Sequence, residues 1–222
     1  MAAITISREF GSEGDTVAEN TAQALDYHLV DKKWIGRLLA QYGLVEFDKE
    51  YNTLPGFWER FNAQREQRRD LMVSMVNRVV LAVAHHGDVV IVGRSGFAIL
   101  GPFAEVLHVR IQSPLPVRIE RVMAQQEITA AEAEAVVKEG DRVRSAFVES
   151  FYGVQWDTAS AFDLVINTGK VPPDLAVTWL VEATQALKAG PPAGPTVYES
   201  IQVDPILAAA VSDQLKCQTV HR

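Results

Sequence analysis

The chain is poor in cysteine, and its one thiol, Cys217, excludes an internal disulfide. A single cysteine fits a reducing compartment, so we expect a cytoplasmic protein. Long apolar runs are absent as well, since the run at 79–84 is far shorter than the roughly 20 residues that a membrane-spanning helix needs. The N-terminal segment has no basic flank followed by an apolar core, so we expect no signal peptide. These absences together favour a soluble protein without a membrane partner.

Positive charge is also scarce. The 222 residues include 21 Lys and Arg against 28 Asp and Glu, which gives a formal net charge of −7. A phosphate backbone attracts a basic protein face, so this balance argues against nucleic-acid binding, although it permits a small basic pocket. Hydrophobic residues make up 48% of the chain, which suffices for a core. The length suits one α/β domain, alone or with a small appendage.

Short apolar segments alternate with longer segments of helical periodicity. The pattern predicts strands at 3–7, 28–31, 88–93, 106–111 and 163–168. It predicts helices at 14–26, 32–43, 57–87, 114–126, 129–151 and 173–188. Such alternation implies right-handed crossovers and a mainly parallel sheet. Ligands of these sheets bind beyond the carboxyl ends of the strands, so the candidate functional residues should follow strands.

The segment "SREFGSEGDTVAEN" at 7–20 lies between the first predicted strand and the first predicted helix. Its position and its glycines are those of a phosphate-binding loop, for which the pattern is G-x-x-x-x-G-K-[ST]. Gly14 takes the second glycine position and Thr16 the hydroxyl position, which ligates magnesium. The first glycine position falls on Glu9, and Asp15 stands where the pattern has lysine. The loop therefore has the right placement and an altered charge.

Two alternatives are open for this loop. Gly11 and Gly14 can relax the turn so that backbone N–H groups converge on an anion, and the start of the helix adds partial positive charge. Three carboxylates surround the site, namely Glu9, Glu13 and Asp15. Within the segment only Arg8 offsets their charge. The same residues also suit a tight turn with an acid near the start of a helix.

Five stretches resemble, in order and at fitting separations, the cytidylate kinase-like branch of the P-loop nucleoside monophosphate kinases. They are "ITISREFGSEGDTVAENTAQALDYHLVDKKWIGR", "VVIVGRSGFAIL", "LHVRIQSPLPVRIERVM", "DRVRSAFVESFYGVQWD" and "FDLVINT". The resemblance extends over 4–187. It implies a three-layer α/β/α P-loop fold with a parallel central sheet and a helical lid at about 114–151. It also implies phosphoryl transfer from a nucleoside triphosphate, ATP with Mg²⁺, to CMP or another small phosphorylated acceptor.

We expect two parts in the chain, a P-loop domain at 1–188 and a linker with a C-terminal appendage at 189–222. The linker is rich in glycine and proline. Apolar residues recur at helical spacing over 206–215 and predict a short helix, with Asp204 as its N-cap and Pro205 as its first residue. This helix should dock on the chain's own core or on a second copy, which would make a homodimer.

The resemblance assigns the donor nucleotide to the glycine loop. The phosphate-binding residues would be Gly11, Ser12, Gly14, Asp15 and Thr16, with the Thr16 hydroxyl as the Mg²⁺ ligand. In the family the position of Asp15 holds a basic residue that reaches the β- and γ-phosphates. A reversed charge there adds repulsion in a partly dry site.

The resemblance assigns the acceptor to residues after two other strands. Asp31 and Arg37 match the D-S-G-x-x-Y-R segment that helps to hold the monophosphate. Arg94 matches the arginine of the G-R-D segment that grips the acceptor phosphate. Ser95 replaces the aspartate that helps to recognise cytosine, so base specificity does not carry over. Apart from the resemblance, Arg37 could equally be a solvated arginine on a helix. Arg94 could be a surface arginine too, but its position directly after a strand favours the ligand-binding edge of a parallel sheet.

The lid supplies the remaining candidates. Arg118 and Arg121 match the start of the lid helices, and Asp141 and Arg144 match the acid and the arginine of its far side. Arg94, Arg121, Arg144 and Asp141 are thus the candidate catalytic residues, with Arg121 or Arg144 shielding the transferring group. The spacing of Asp141 and Arg144 also suits a plain surface ion pair on a helix.

Three functions are consistent with the sequence. The first is an active kinase that acts on a nucleoside monophosphate or a similar small acceptor, in which Arg8 or a lid arginine replaces the missing lysine. The second is a catalytically degenerate P-loop protein that binds a nucleotide or another anion as a regulatory or structural module. The third uses the fold alone as a scaffold. Asp15 favours the second and third functions, and the joint presence of the arginines favours the first and second.

Overall fold

A five-stranded parallel sheet forms the centre of the molecule. The computed structural model describes residues 2–43, 63–101, 103–190, 197 and 200–219. The strands are β1 (Ala3–Arg8), β2 (His28–Val30), β3 (Val89–Val92), β4 (Val106–Gln112) and β5 (Leu164–Asn167). They pair in the order β2-β3-β1-β4-β5, and every pair is parallel. All five lie within one residue of the predicted bounds.

The helices connect these strands. They are α1 (Gly14–Leu25), α2 (Lys32–Gln41), α3 (Ala63–His86), α4 (Gly96–Leu100), α5 (Leu115–Gln126), α6 (Ala130–Tyr152), α7 (Pro173–Ala189) and α8 (Pro205–Thr219). The sequence did not predict α4, because its five residues are too few to show a helical period. The predicted start of α3 at 57 lies outside the described residues. Within the described ranges, none of the helices is long and apolar enough to cross a bilayer.

Each face of the sheet carries its own apolar core, because successive strand side chains point to opposite sides. On one face Ile4 and Ile6 pack with α1 and α7. On the other face Ala3, Val89 and Ile91 pack with α2, α3 and α8. Full burial of an isoleucine side chain stabilises a fold by roughly 1.5–3 kcal/mol. These helix–sheet–helix layers confirm the predicted three-layer α/β/α architecture.

The C-terminal helix α8 packs on the chain's own core. Asp204 caps it, since its Oδ1 accepts hydrogen bonds from the N–H groups of Ile206 at 2.9 Å and Leu207 at 3.1 Å. Leu207, Val211 and Leu215 are buried at the spacing of one helix face, whereas Ile206 is 73% exposed. Ile206 was expected in the buried stripe, but the stripe begins one residue later. The appendage therefore completes the core beside α2 and α3.

One face of the two central strands becomes polar toward their carboxyl ends. Thr5 and Ser7 of β1 lie opposite His108 and Arg110 of β4 in the parallel register. All four side chains are buried, with at most 6% exposed. Buried polar groups need hydrogen-bond partners, so apolar residues would suit simple packing better at these positions. A polar patch in an otherwise apolar sheet therefore indicates a functional role. Two of its members, Thr5 and Ser7, line the candidate active site.

Candidate active site

A cavity of about 130 Å³ opens at the carboxyl ends of β1 and β3. Its lining residues come from the ends of these strands, from the turn after β3 and from α4. Others come from the start of α2, from α6 and from the segment after α6. The cationic members are Arg8, Lys32, Arg94 and Arg144, and the aromatic members are Phe97, Phe147 and Trp156. The cavity therefore combines an anion-attracting rim with a flat apolar wall, at the edge where parallel sheets bind ligands.

The surroundings of Arg144 show that positively charged side chains lie close together at the cavity. Burial, together with the nearby charge of Arg8 and against the opposing effect of Asp141, lowers the pKa of its guanidinium to about 10. Its Nη1 is buried without a hydrogen bond and lies 3.8 Å from Asp141 Oδ1, which is too far for one. Arg94 also depresses the pKa of Arg144. An anion in the cavity would relieve this repulsion.

The turn between β3 and α4 holds Arg94 in a strained backbone. Gly93, Arg94 and Ser95 follow one another with φ angles of 69°, 52° and 54°. Such left-handed conformations cost residues other than glycine of order 1–3 kcal/mol each, and they persist where function requires them. Ser95 is buried at the cavity, and its Oγ has no hydrogen-bond partner. The turn thus presents a guanidinium and an unsatisfied hydroxyl to the same small space.

The glycines of the loop before α1 are required by close packing. Gly11 has φ 77°, and a Cβ there would lie 3.0 Å from the carbonyl oxygen of Arg118. A Cβ on Gly14 would lie 2.5 Å from Cβ of Arg8. Helix α1 begins at Gly14, directly after Glu13 in a left-handed conformation. The first N–H groups of the helix have no intrahelical acceptor, which suits them to an anion.

The three carboxylates around this loop are each paired with arginine. Arg8 Nη2 lies 2.9 Å from Asp15 Oδ1, and Arg121 Nη2 lies 2.6 Å from Glu13 Oε2. Glu9 accepts a hydrogen bond from the Ser113 N–H at 2.9 Å. Its two oxygens also pair with Arg110 and Arg118. The expectation that Arg8 alone offsets these acids is therefore wrong, because β4 and α5 bring three further arginines to the loop.

Asp141 and Arg118 fasten the lid to the loop. Asp141 accepts hydrogen bonds from the Phe10 N–H at 2.8 Å and from Arg118 Nη1 at 2.5 Å. Arg118 also donates to the carbonyl oxygens of Phe10 at 3.1 Å and Ser113 at 2.9 Å. A Cβ on Gly140 would strike the Phe10 ring. Asp141 thus holds the middle of α6 against the loop, and both of its carboxylate oxygens are engaged in these bonds.

Arg121 fixes the other side of the loop. Its guanidinium donates to the carbonyl oxygen of Thr168 at 2.9 Å and to its Oγ1 at 3.2 Å. The Thr168 hydroxyl lies 2.7 Å from the Ser12 carbonyl oxygen and donates to it. Together with the Glu13 ion pair, these bonds connect α5, the end of β5 and the loop. Arg121 is not among the residues that line the cavity.

The two candidate acceptor-binding residues after β2, Asp31 and Arg37, have different surroundings in the structure. Asp31 caps α2, and its Oδ1 accepts from the Trp34 N–H at 2.7 Å. Arg37 is exposed and does not line the cavity, whereas Lys32 does. The buried face of α2 is set by its apolar residues, and Arg37 falls between them on the outer side. The structure therefore brings Arg94, Arg144 and Lys32 together and leaves Arg37 apart.

Sequence reasoning missed Arg110 as a site residue. Its Nη1 donates to the Trp156 carbonyl oxygen at 2.8 Å, and its guanidinium lies 4.4 Å from the centre of the Trp156 ring. Burial lowers the pKa of Arg110, and the charge of Glu9 opposes that effect. Arg110 thus fixes the aromatic wall of the cavity. The available signal was a pair of polar residues, His108 and Arg110, on one face of an apolar strand.

His108 and Thr5 form the inner end of the polar patch. His108 Nδ1 lies 2.7 Å from Thr5 Oγ1, and Thr5 lines the cavity. Burial lowers the pKa of His108 below its ordinary value, although the charge of Asp163 acts in the opposite direction. The imidazole is therefore neutral at pH 7. The floor of the cavity is neutral and hydroxyl-bearing, while its rim is cationic.

The position of Thr16 is compatible with a magnesium ligand. Its side chain is exposed in the first turn of α1, beside the N–H groups that suit phosphate. Nowhere in the described ranges do three or more His, Cys, Asp or Glu side chains cluster as a metal site. Mg²⁺ in nucleotide sites takes few protein ligands and completes its shell with phosphate oxygens and water. One hydroxyl at this point fits that requirement.

A parallel sheet in this order, with a glycine loop after its central strand and a two-helix lid over the same edge, defines a P-loop kinase fold. The model of the cytidylate kinase-like family matches residues 3–170, and the chain belongs to this family.

The similarity to two cytidylate kinases extends over most of the chain. The cytidylate kinase of Halobacterium salinarum is 25% identical over 199 residues, which cover 90% of this chain and 97% of that protein. The cytidylate kinase of Ignicoccus hospitalis is 29% identical over 177 residues, with 80% and 95% covered. A crystal structure of an uncharacterized protein from Eubacterium ventriosum has a TM-score of 0.65 at 20% identity and covers 84% of this chain and 99% of that one. The last likeness concerns the fold alone.

Proposed function

We propose that the protein is a kinase that transfers a phosphoryl group from a nucleoside triphosphate to a nucleoside monophosphate or another small anionic acceptor. The observation that carries the proposal is the cationic cavity, which lies directly beside the glycine loop and shares Arg8 with it. A kinase needs two phosphate sites in contact, one for the donor and one for the acceptor. Family membership supports the same chemistry.

The donor triphosphate would lie on the loop and the first turn of α1. The N–H groups at the start of the helix would face its phosphate oxygens, where the helix dipole favours negative charge. Thr16 would hold Mg²⁺, which neutralises charge on the β- and γ-phosphates when bound. The ion pairs of Glu13 and Asp15 reduce the repulsion that their carboxylates would otherwise exert.

The acceptor would occupy the cavity. Arg94 would grip its anionic group, since a planar guanidinium meets phosphate oxygens in pairs. Phe97 and Trp156 would face its flat or apolar part, and the unsatisfied Ser95 hydroxyl would select its polar edge. Because serine can both donate and accept, this position permits bases other than cytosine.

In the reaction an acceptor oxygen forms a bond to the γ-phosphorus while the bond from that phosphorus to the β–γ bridging oxygen breaks. The nucleoside diphosphate leaves with the electron pair, so charge shifts toward it in the transition state. Arg144 is the lid arginine that lines the cavity and would neutralise the transferring group. Arg121 would act indirectly, because its bonds to Thr168 and Glu13 hold the loop in place.

Calorimetric titration tests this proposal. We expect the protein to bind ATP with Mg²⁺ and to bind a nucleoside monophosphate in a second, independent step. Arg94→Met should abolish the second step and preserve the first. Arg142→Met is the matched control, since Arg142 lies on α6 near Arg144 but pairs with Glu139 on the open surface. A protein that binds neither kind of nucleotide would refute the proposal.

A further inference from the structure

Arg8 belongs to both halves of the site. It is the last residue of β1, it lines the cavity, and its guanidinium pairs with Asp15 at the start of α1. The transferring phosphoryl group must pass between the donor loop and the acceptor cavity. A cation at that boundary can contact the group at every stage of its passage.

Two glycines fix the path of the Arg8 side chain. A Cβ on Gly14 would lie 2.5 Å from Cβ and 2.9 Å from Cγ of Arg8, so the stem fills the space beside the loop. A Cβ on Gly93 would clash with Arg8 Nη1. The guanidinium therefore lies against the backbone of the strained turn that carries Arg94. The Arg8 side chain is only 17% exposed, because it lies in a narrow channel between the two glycines.

The bond to Asp15 occupies only part of the guanidinium. Arg8 Nε and Nη2 both approach the same oxygen, Asp15 Oδ1, at 3.0 and 2.9 Å. Nη1 lies on the other side, against Gly93. The Asp15 side chain is 66% exposed. An ion pair with one partner so open to water contributes little to stability, so the carboxylate can swing into solvent at small cost.

We propose, resting on the kinase function above, that Arg8 supplies from the end of β1 the phosphate-binding cation that the loop lacks at position 15. Asp15 holds the guanidinium as a counter-ion until a triphosphate replaces it. A counter-ion suits the charges around the cavity, because burial, followed by the charges of Arg8 and Arg94, lowers the pKa of Arg144, while the charge of Asp15 acts in the opposite direction. The γ-phosphate of a bound triphosphate would take over that role as Asp15 moves away.

If Arg8 is the phosphate-binding cation, the effect of Asp15 on ATP binding depends on Arg8. A carboxylate that simply faced the phosphates would repel them whether or not Arg8 were present. A carboxylate that competes with phosphate for Arg8 weakens binding only while Arg8 is there. The two accounts differ in the coupling between positions 8 and 15, which a double-mutant cycle measures.

The experiment titrates the wild type, Arg8→Gln, Asp15→Asn and the double variant with ATP and Mg²⁺ in a calorimeter. We expect Arg8→Gln to weaken ATP binding at least tenfold and Asp15→Asn to strengthen it several-fold. The gain from Asp15→Asn should vanish in the Arg8→Gln background. A lysine at position 15 in that background, as Arg8→Gln with Asp15→Lys, should restore most of the lost affinity. Glu19→Gln, which removes an exposed acid further along α1, is the control and should change affinity less than twofold.

Each outcome decides the inference. Equal ATP affinity in Arg8→Gln and the wild type would overturn it while leaving the kinase function intact. An undiminished gain from Asp15→Asn in the Arg8→Gln background would also overturn it, in favour of simple repulsion. If Arg8→Gln does not fold, Arg8→Lys keeps the charge but not the fork, and it must still bind ATP and respond to Asp15→Asn. A wild type that binds no ATP would overturn the kinase proposal and this inference with it.

Discussion

The glycine loop and the neighbouring cavity carry opposite charge balances. In the loop each carboxylate has an arginine partner, as the contacts of Glu9, Glu13 and Asp15 show. Arg94, Arg144 and Lys32 all line the cavity, and burial together with the charge of Arg8 lowers the pKa of Arg144 to about 10. Arginines offset the carboxylates of the loop, whereas in the cavity an anion would offset the repulsion of Arg144 by Arg8 and Arg94. The altered loop therefore does not argue against a phosphate site as strongly as its sequence suggests.

The largest effect should follow the loss of Arg144, which breaks the cationic side of the comparison. Arg144→Met removes the charge that neutralises the transferring group, and we expect kcat to fall about 10²–10³-fold, as when one transition-state donor is lost. ATP binding should change little. Steady-state kinetics with a monophosphate acceptor measure the effect, and Arg142→Met serves as the control. An unchanged kcat would show that Arg144 does not meet the reacting group.

A second prediction concerns the backbone that joins the two regions. Gly93→Ala combines a left-handed φ of 69° with a clash against Arg8 Nη1, so the guanidinium must move. We expect roughly 1–3 kcal/mol lower stability from the backbone strain, together with weaker ATP binding. Gly153→Ala is the matched control, since Gly153 also has a left-handed φ of 64° but has no atom within 4 Å of its Cβ position. Urea unfolding and calorimetry compare them, and an equal loss of ATP affinity in both variants would contradict the role of Arg8.

The structure also shows which features the sequence could predict. Strand alternation and helical periodicity give all five strands, because buried parallel strands are short apolar runs between amphipathic helices. Arg94 was placed at the cavity by its position directly after β3, through the general rule on parallel sheets. Arg37 could have been placed on the outer face of α2 from the periodicity of that helix, whose buried residues are apolar.

Other features could not be predicted, because they depend on long-range contacts. Glu9 and its partner Ser113 are 104 residues apart in the sequence, and no local pattern shows that they meet. Phe10 and Asp141 are separated by 131 residues in the same way. The short helix α4 gives no periodic signal, although it carries the cavity wall residue Phe97. Local rules therefore give the elements, and the charge balance of the site emerges only when they pack.

A third and smaller effect should come from the wall of the cavity. Arg110→Met removes the bond to the Trp156 carbonyl oxygen and the contact with its ring. A buried cation–π contact contributes roughly 2 kcal/mol, and only part of it should be lost from acceptor binding because Trp156 itself remains. We therefore expect the KM for the acceptor to rise about 3- to 10-fold with little change in kcat. Kinetics at varied acceptor concentration separate the two constants. A fall in kcat with constant KM would contradict a role in positioning Trp156.

The smallest effect concerns the buried imidazole of His108, which contacts the cavity residue Thr5. Because burial keeps the pKa of His108 below its ordinary value of 6.5, the unfolded chain takes up a proton below pH 6.5 that the folded state does not. Stability should therefore decrease as the pH falls through 6.5. His108→Gln should make stability less dependent on pH between pH 7.5 and pH 5.5, because glutamine takes up no proton in the unfolded chain. Urea unfolding at both pH values tests this, and an identical pH dependence in the two proteins would contradict a neutral buried imidazole.

The most direct test of the account is a phosphoryl-transfer assay on the wild-type protein. The protein is incubated with Mg²⁺, a γ-labelled nucleoside triphosphate and each of the common nucleoside monophosphates, and the label is followed by chromatography. The account predicts that label moves to at least one monophosphate, and that this transfer is lost in Arg94→Met but retained in Arg142→Met. Failure of the folded wild-type protein to transfer label to any monophosphate or other small anionic acceptor would contradict the proposed kinase function.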